Sequence, residues 1–191
     1  MKICFATNNP QKIAEVSEML QHTNIEIVGL KEIGCLEELP ETSQTLEGNS
    51  KQKAEYVFQN YRVVCFADDT GLEVEALNGE PGVDSAHYSG SRNSDENMHL
   101  LLQRLAGTMH RKAQFRTIIA LAGLEETQIF EGIVEGSITN EKQGSGGFGY
   151  DPVFRPKGYH QTFGELSRQE KSKISHRGKA IEKLIKYLQL L

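Results

Sequence analysis

An α/β fold with a mixed, twisted β-sheet flanked by helices is expected from three observations. Short apolar runs alternate with segments of helical periodicity along the chain. Two long strand-like runs, Ala113–Ala122 and Gln128–Val134, are separated only by a turn near 123–126, which makes them antiparallel. No internal repeat or long linker breaks the pattern, so residues 1–191 read as one domain, with length enough for a two-lobed build.

Each element has its local reason. Ile3–Ala6 is a short apolar run, too short for a signal-peptide core, and reads as a buried first strand. Asn9-Pro10 then offers an N-cap and a first helical position, followed by Ile13, Val16, Met19 and Leu20 at helical spacing. Ile25–Val28 is a second strand, and the acidic stretch 32–44 a loop. Leu46, Ala54, Val57, Phe58 and Tyr61 mark a helix from about residue 45 to 60. The run 63–67 is an interior strand expected to end in Asp68-Asp69-Thr70-Gly71, with strand-like alternation resuming over 72–77. Asn78 to Gly82 is turn chemistry, and Asn97, Met98, Leu101, Leu102 and Leu105 mark another helix. Beyond the hairpin come a glycine-rich loop over 143–151, a short strand at Val153–Phe154, and an amphipathic C-terminal helix carrying Ile181, Leu184, Ile185 and Leu188.

Composition narrows the function. With 38% hydrophobic and 25% charged residues, the chain is an ordinary soluble globular protein. Its net charge of −5 argues against a stable nucleic-acid partner, and no apolar run reaches membrane-spanning length. Cys4, Cys35 and Cys65 have no metal-type spacing and read as reduced thiols of a cytoplasmic protein.

Four segments carry candidate chemistry. Thr7-Asn8-Asn9-Pro10-Gln11-Lys12 is a polar loop at a helix N-terminus, suited to an anion, though a plain strand–helix connection would look similar. Asp68 and Asp69 place two carboxylates together, which a cation would offset; one could serve as base toward water, or as a simple turn acid. A lone Asp-Thr-Gly lacks the second copy that an aspartic protease needs. The run 144–151 matches a dinucleotide-type glycine pattern, but Asp151-Pro152 blocks the helix that should follow. A tight loop is left, in which Phe148 or Tyr150 stacks on a flat ligand or plugs the core. Finally, Arg168, Lys171, Lys173, Arg177 and Lys179 concentrate cations in an acidic chain, fit for an anion or for a charged helix start. Together the four segments ask for one polyanionic, aromatic, metal-associated ligand, which a nucleoside triphosphate with Mg²⁺ satisfies.

In order and wording these motifs resemble those of the inosine/xanthosine triphosphatases, the dITP/XTP pyrophosphatases of noncanonical purine nucleotides. The match runs from Thr7–Lys12 through 67–72, 146–152 and Glu170-Lys171-Ser172 to Ile174-Ser175-His176-Arg177-Gly178. The resemblance implies Mg²⁺-dependent hydrolysis of ITP, dITP and XTP to the monophosphate and pyrophosphate. It also implies a homodimer and a two-lobed fold with the site in a cleft between the lobes. By position it assigns Thr7, Asn8, Asn9, Pro10, Gln11 and Lys12 to a phosphate loop, and Glu41 and Asp69 to the metal, with Asp69 also the base. Lys53 and Lys171 become phosphate contacts with Thr70 beside them. Phe148, Gly149, Tyr150 and Asp151 become the base loop, and His176 and Arg177 close on the purine. A hydrogen-bond donor facing the 6-oxo group would discriminate against adenine.

Three departures from the family pattern stand out. Gly48 occupies the usual place of a glutamate, His87 that of a basic residue, and the phosphate loop ends with one lysine instead of two. Gly48 and His87 are the hints for one alternative, a catalytically weak nucleotide-binding sensor; a pyrophosphatase of other modified nucleotides is the other.

Overall fold

The computed structural model describes residues 1–190. In chain order the strands are β1 (Lys2–Phe5), β2 (Glu26–Val28), β3 (Cys65–Val74), β4 (Pro81–Gly82), β5 (Lys112–Ala122), β6 (Gln128–Ile138) and β7 (Phe154–Pro156). The helices are α1 (Pro10–Leu20), α2 (Leu46–Tyr61), α3 (Ser94–Arg104), α4 (Arg168–Ile174) and α5 (His176–Leu188). The chain forms two compact units. The first comprises residues 1–69, 117–132 and the chain from Arg177 on; the second comprises 70–116 and 133–176. Unit boundaries fall inside β3, β5 and β6.

In the first unit the strand order is β2-β1-β3-β5-β6. β1 is parallel to β2 and to β3, with Cys4 opposite Cys65 and Phe5 opposite Phe66. The two phenyl rings stack with centroids 4.5 Å apart. Period-2 alternation sorts the side chains onto two faces. Ile3, Phe5, Phe66, Ile119 and Leu121 pack with Val16 and Leu20 of α1 and with Ala180, Ile181, Leu184 and Leu188 of α5. Cys4, Ala6, Cys65, Ala67, Ala120 and Ala122 pack with Ala54 and Val57 of α2. Each large side chain buried here contributes about 1.5–3 kcal/mol.

The helices start where the chain supplies caps. Asn9 Oδ1 accepts from the Gln11 and Lys12 N–H groups, with Pro10 at the first helical position of α1. Thr45 Oγ1 accepts from the Gly48 N–H at 3.0 Å to open α2. Ser167 and Glu170 form a capping box on α4.

The second unit joins the remaining lengths of β3, β5 and β6 to β4 and β7, each antiparallel to its neighbour. Its core gathers Leu72, Val74, Leu101, Leu105, Phe115, Val134, Tyr150, Phe154 and Phe163.

The mixed sheet and the helices follow the expected pattern, with three differences. β3 does not end in residues 68–71 but continues through the two aspartates there to Val74, and Glu75–Leu77, expected to continue the strand pattern, is a 3-10 turn. A polar pair tolerates a strand interior when each carboxylate has a partner, and both do. β6 extends to Ile138 because alternation persists there. The segment Asp151–Val153 is a single 3-10 turn, with Pro152 in its first turn, and β7 begins at Phe154. Among the described residues, no helix is long and apolar enough to cross a membrane, and Cys4, Cys35 and Cys65 are free, buried thiols.

Candidate active site

β3 alternation decides what each aspartate does. Asp68 follows Phe66 onto the α1/α5 face, while Asp69 follows Ala67 onto the α2 face. On that second face, Asn49 of α2 donates through Nδ2 to Asp69 Oδ2 at 3.2 Å. The Asn49 Oδ1 accepts from the Ser43 N–H at 2.9 Å, so one amide ties the aspartate to the loop ahead of α2. Gln52 holds the same loop through the Thr42 N–H and hydroxyl.

That loop carries Glu41. Its Oε1 lies 2.5 Å from Lys53 Nζ, and Asp69 Oδ1 lies 3.8 Å from the same ammonium. Lys53 Nζ also donates to the Asp68 carbonyl at 2.8 Å. Burial disfavours the Lys53 charge, but Asp69, Glu41 and Asp68 outweigh it and raise its pKa. Asp69 moves upward too: desolvation dominates, opposed by Lys53 and Lys12 and reinforced by Glu41 and Asp68. Two carboxylates thus converge on one cation. Among the described residues there is no group of three or more His, Cys, Asp or Glu side chains fit to cage a metal. A pair of hard oxygen ligands is nonetheless what Mg²⁺ takes when waters and phosphate oxygens complete its shell. The donor set fits that ion.

On the opposite face Asp68 is 1% exposed. Its Oδ1 accepts from Lys12 Nζ at 2.9 Å and its Oδ2 from Arg177 Nε at 3.1 Å. Burial opposes its ionisation, yet Lys12, Arg177 and Lys53 together hold it well below the usual carboxylate range. Lys12 is pushed downward, chiefly by desolvation, with Asp68 opposing. Arg177 is 1% exposed and also donates to Glu15.

The second unit holds the other candidate cluster. Asp151 Oδ2 accepts from the Phe148 N–H at 2.8 Å and from Lys171 Nζ at 2.7 Å. The same ammonium stands 4.7 Å from the Phe148 ring centroid, a cation–π contact. A Cβ on Gly147 would lie 2.1 Å from Asp151 Oδ2, and its φ is +70°, so only glycine closes this loop. Phe148 keeps partial exposure, whereas Tyr150 is buried and donates its hydroxyl to the Ser85 carbonyl at 3.0 Å.

The structure therefore sorts the expected residues into two groups. Lys12, Glu41, Lys53, Asp69 and Arg177 lie in the first unit, with Thr7 to Gln11 forming the loop and cap ahead of Lys12. Thr70, Phe148, Gly149, Tyr150, Asp151, Lys171 and His176 lie in the second. Lys171 is placed with the Phe148 loop. His176 is 3% exposed and stacks on Phe115 with centroids 4.5 Å apart. Sequence reasoning missed Glu15, whose one signal is its place three residues after Lys12 on a helix, and Ser85, which carried none. His87 is exposed beside Asp84, its Nε2 3.3 Å from Oδ1.

Residues 3–187 match the Ham1 family. A dITP/XTP pyrophosphatase of Flavobacterium johnsoniae is 51% identical over 189 residues, covering 98% of each chain. That of Porphyromonas gingivalis is 52% identical, over 98% of this chain and 97% of the relative. Among solved structures, a HAM1 protein from Coxiella burnetii superposes with a TM-score of 0.91 at 35% identity over the whole of both chains. The Staphylococcus aureus Ham1 protein gives 0.90 at 38% identity, over 99% of this chain and 98% of that one.

Proposed function

The chain belongs to the Ham1 family, and from that premise we propose that it is a hydrolase of phosphoric anhydrides acting on noncanonical purine nucleoside triphosphates. ITP, dITP and XTP are cleaved to the monophosphate and pyrophosphate, with Mg²⁺ as cofactor. Residues 1–191 act as one catalytic domain, working as a homodimer in the cytoplasm. The observation that carries the reading is the convergence of Glu41 and Asp69 on Lys53, with Asn49 fixing Asp69.

In this mechanism Glu41 and Asp69 would hold Mg²⁺, which would supply Lewis-acid neutralisation of phosphate charge. Asp69 orients water and takes its proton. Lys53 and Lys12 stabilise charge on the triphosphate chain and on the departing pyrophosphate. Phe148 offers a flat face to the purine. Lys171, held by Asp151, supplies a donor for the 6-oxo group, which adenine replaces with an amine. Guanine shares the 6-oxo group, so the Lys171 donor alone does not separate it from hypoxanthine.

The test is turnover with Mg²⁺ on ITP, XTP, dITP, ATP, GTP and dTTP, scoring pyrophosphate and orthophosphate separately. Pyrophosphate released selectively from ITP, dITP and XTP is expected; activity on other bases would discard the purine selectivity. Tight ITP binding without turnover would favour a sensor. Asp69→Asn should lower kcat by at least about 10²-fold with little change in thermal stability. Wild-type rates in that variant would refute its role as base and ligand.

A further inference from the structure

Buried in the first unit is a line of four charged side chains that the mechanism above uses only at one end. Glu15 Oε2 accepts from Arg177 Nη1 at 2.5 Å, Arg177 Nε donates to Asp68 Oδ2 at 3.1 Å, and Asp68 Oδ1 accepts from Lys12 Nζ at 2.9 Å. Signs alternate along the line and cancel within it. Side-chain exposure is 8% at Glu15, 2% at Arg177, 1% at Asp68 and 16% at Lys12. Desolvating an ion costs several kcal/mol even after relaxation, and well-packed apolar residues commonly serve stability as well or better. A line of this kind is therefore weak evidence for a stabilising role and asks for another.

Its geometry supplies one. Asp68 gives one oxygen to Arg177 and the other to Lys12. Glu15, on the same helix as Lys12 and three residues further on, draws on the far side of the same guanidinium. Without Glu15, the Arg177 fork would be free to take both oxygens of Asp68, as guanidinium groups prefer with carboxylates. Lys12 would then lose the counter-charge that fixes it. Three nearly inaccessible groups hold the fourth, and the fourth is the most exposed.

We propose that Glu15 and Arg177 are positioning residues for Lys12, acting through Asp68 to hold its ammonium where the triphosphate chain binds, whichever base is attached. This rests on the reading of Lys12 as a phosphate contact. It also gives the Arg177 side chain a task other than closing on the purine.

The experiment compares the parent with Glu15→Gln, which keeps shape and removes charge. Two readouts are taken: kcat/KM for ITP and for XTP, and calorimetric affinity for inorganic tripolyphosphate without metal. A displacement of about 1 Å in a positioning group costs on the order of 10²-fold. The expected result is a loss of roughly 10- to 100-fold in kcat/KM, equal for both bases, with weaker tripolyphosphate binding. In a Lys12→Met background, Glu15→Gln should add no further loss in either readout, while any loss of melting temperature persists. Parent-like values in Glu15→Gln overturn the proposal. So does an undiminished effect in the Lys12→Met background, which would mark a general structural role, and so does a loss confined to one base. If Glu15→Gln does not fold, Glu15→Asp retains the charge on a shorter stem and should give an intermediate loss; parent behaviour there overturns the proposal equally. A parent that turns over no nucleotide would instead sink the pyrophosphatase reading, while the tripolyphosphate arm would still report on Lys12.

Discussion

Gly48 stands in the first turn of α2, and the structure explains how the helix is capped without a glutamate there. A Cβ at Gly48 would lie 1.9 Å from Ser43 Oγ. That hydroxyl accepts from the Thr45 N–H at 3.2 Å, the donor that a glutamate at position 48 would satisfy in a capping box. Ser43 has thus taken over half of the cap, and Asn49 still reaches Asp69 from the first turn of the helix. Gly48 alone therefore gives no support to a catalytically weak sensor. Gly48→Glu should destabilise the protein by about 1–3 kcal/mol in chemical denaturation through overpacking. Adding Ser43→Gly should recover most of that loss by restoring the two-way cap. Additive losses in the double variant would refute the exchange.

Strand β3 shows how far pattern reading reaches. Its start was visible as a continuous apolar run from Val63 to Ala67, and two aspartates suggested a polar end to the strand. What the linear pattern could not show is that Lys12 and Arg177, distant in sequence, meet Asp68 on one face while Asn49 and Lys53 meet Asp69 on the other. Once both carboxylates are partnered, the strand continues. The two acids then divide their work: Asp68 is locked in ion pairs, and Asp69 stands with Glu41 and Lys53. Asp68→Asn leaves Arg177 buried without its aspartate, so it should cost about 3–5 kcal/mol by denaturant unfolding. The pH dependence has a definite sign. Because the folded-state pKa of Asp68 is depressed, its contribution is complete above the unfolded value of about 3.9 and fades as pH falls from there through the folded value. The parent should lose stability through that acid window more steeply than Asp68→Asn, and parallel curves would contradict the assignment.

Taken as a whole, the molecule was legible wherever local chemistry decides. The strand–helix alternation, the Asn9-Pro10 cap and the antiparallel hairpin all follow from neighbouring residues, and the ordered motifs pointed to the family. Ion-pair partners were not legible, since they depend on which helix covers which face. Tyr150 and His176 illustrate the point: both belong to motif segments, yet both are packed into the core, Tyr150 tied to Ser85 and His176 stacked on Phe115.

The first unit draws on three separate stretches of chain, the last beginning at Arg177. Its α1-side core takes Ala180, Ile181, Leu184 and Leu188 from that final stretch, and Asp68 takes its guanidinium from it as well. A chain emerging from the ribosome therefore holds β1, β3 and α1 ready long before their covering helix exists. Until α5 is released, Phe5 and Phe66 lack the part of their apolar cover that Ala180, Ile181, Leu184 and Leu188 supply, and Asp68 lacks its arginine. A chain stopped at residue 176 should not fold, which limited proteolysis and loss of the cooperative unfolding transition would reveal. Adding a peptide of residues 177–190 in trans should restore protection, because what is missing is a partner surface and not local propensity.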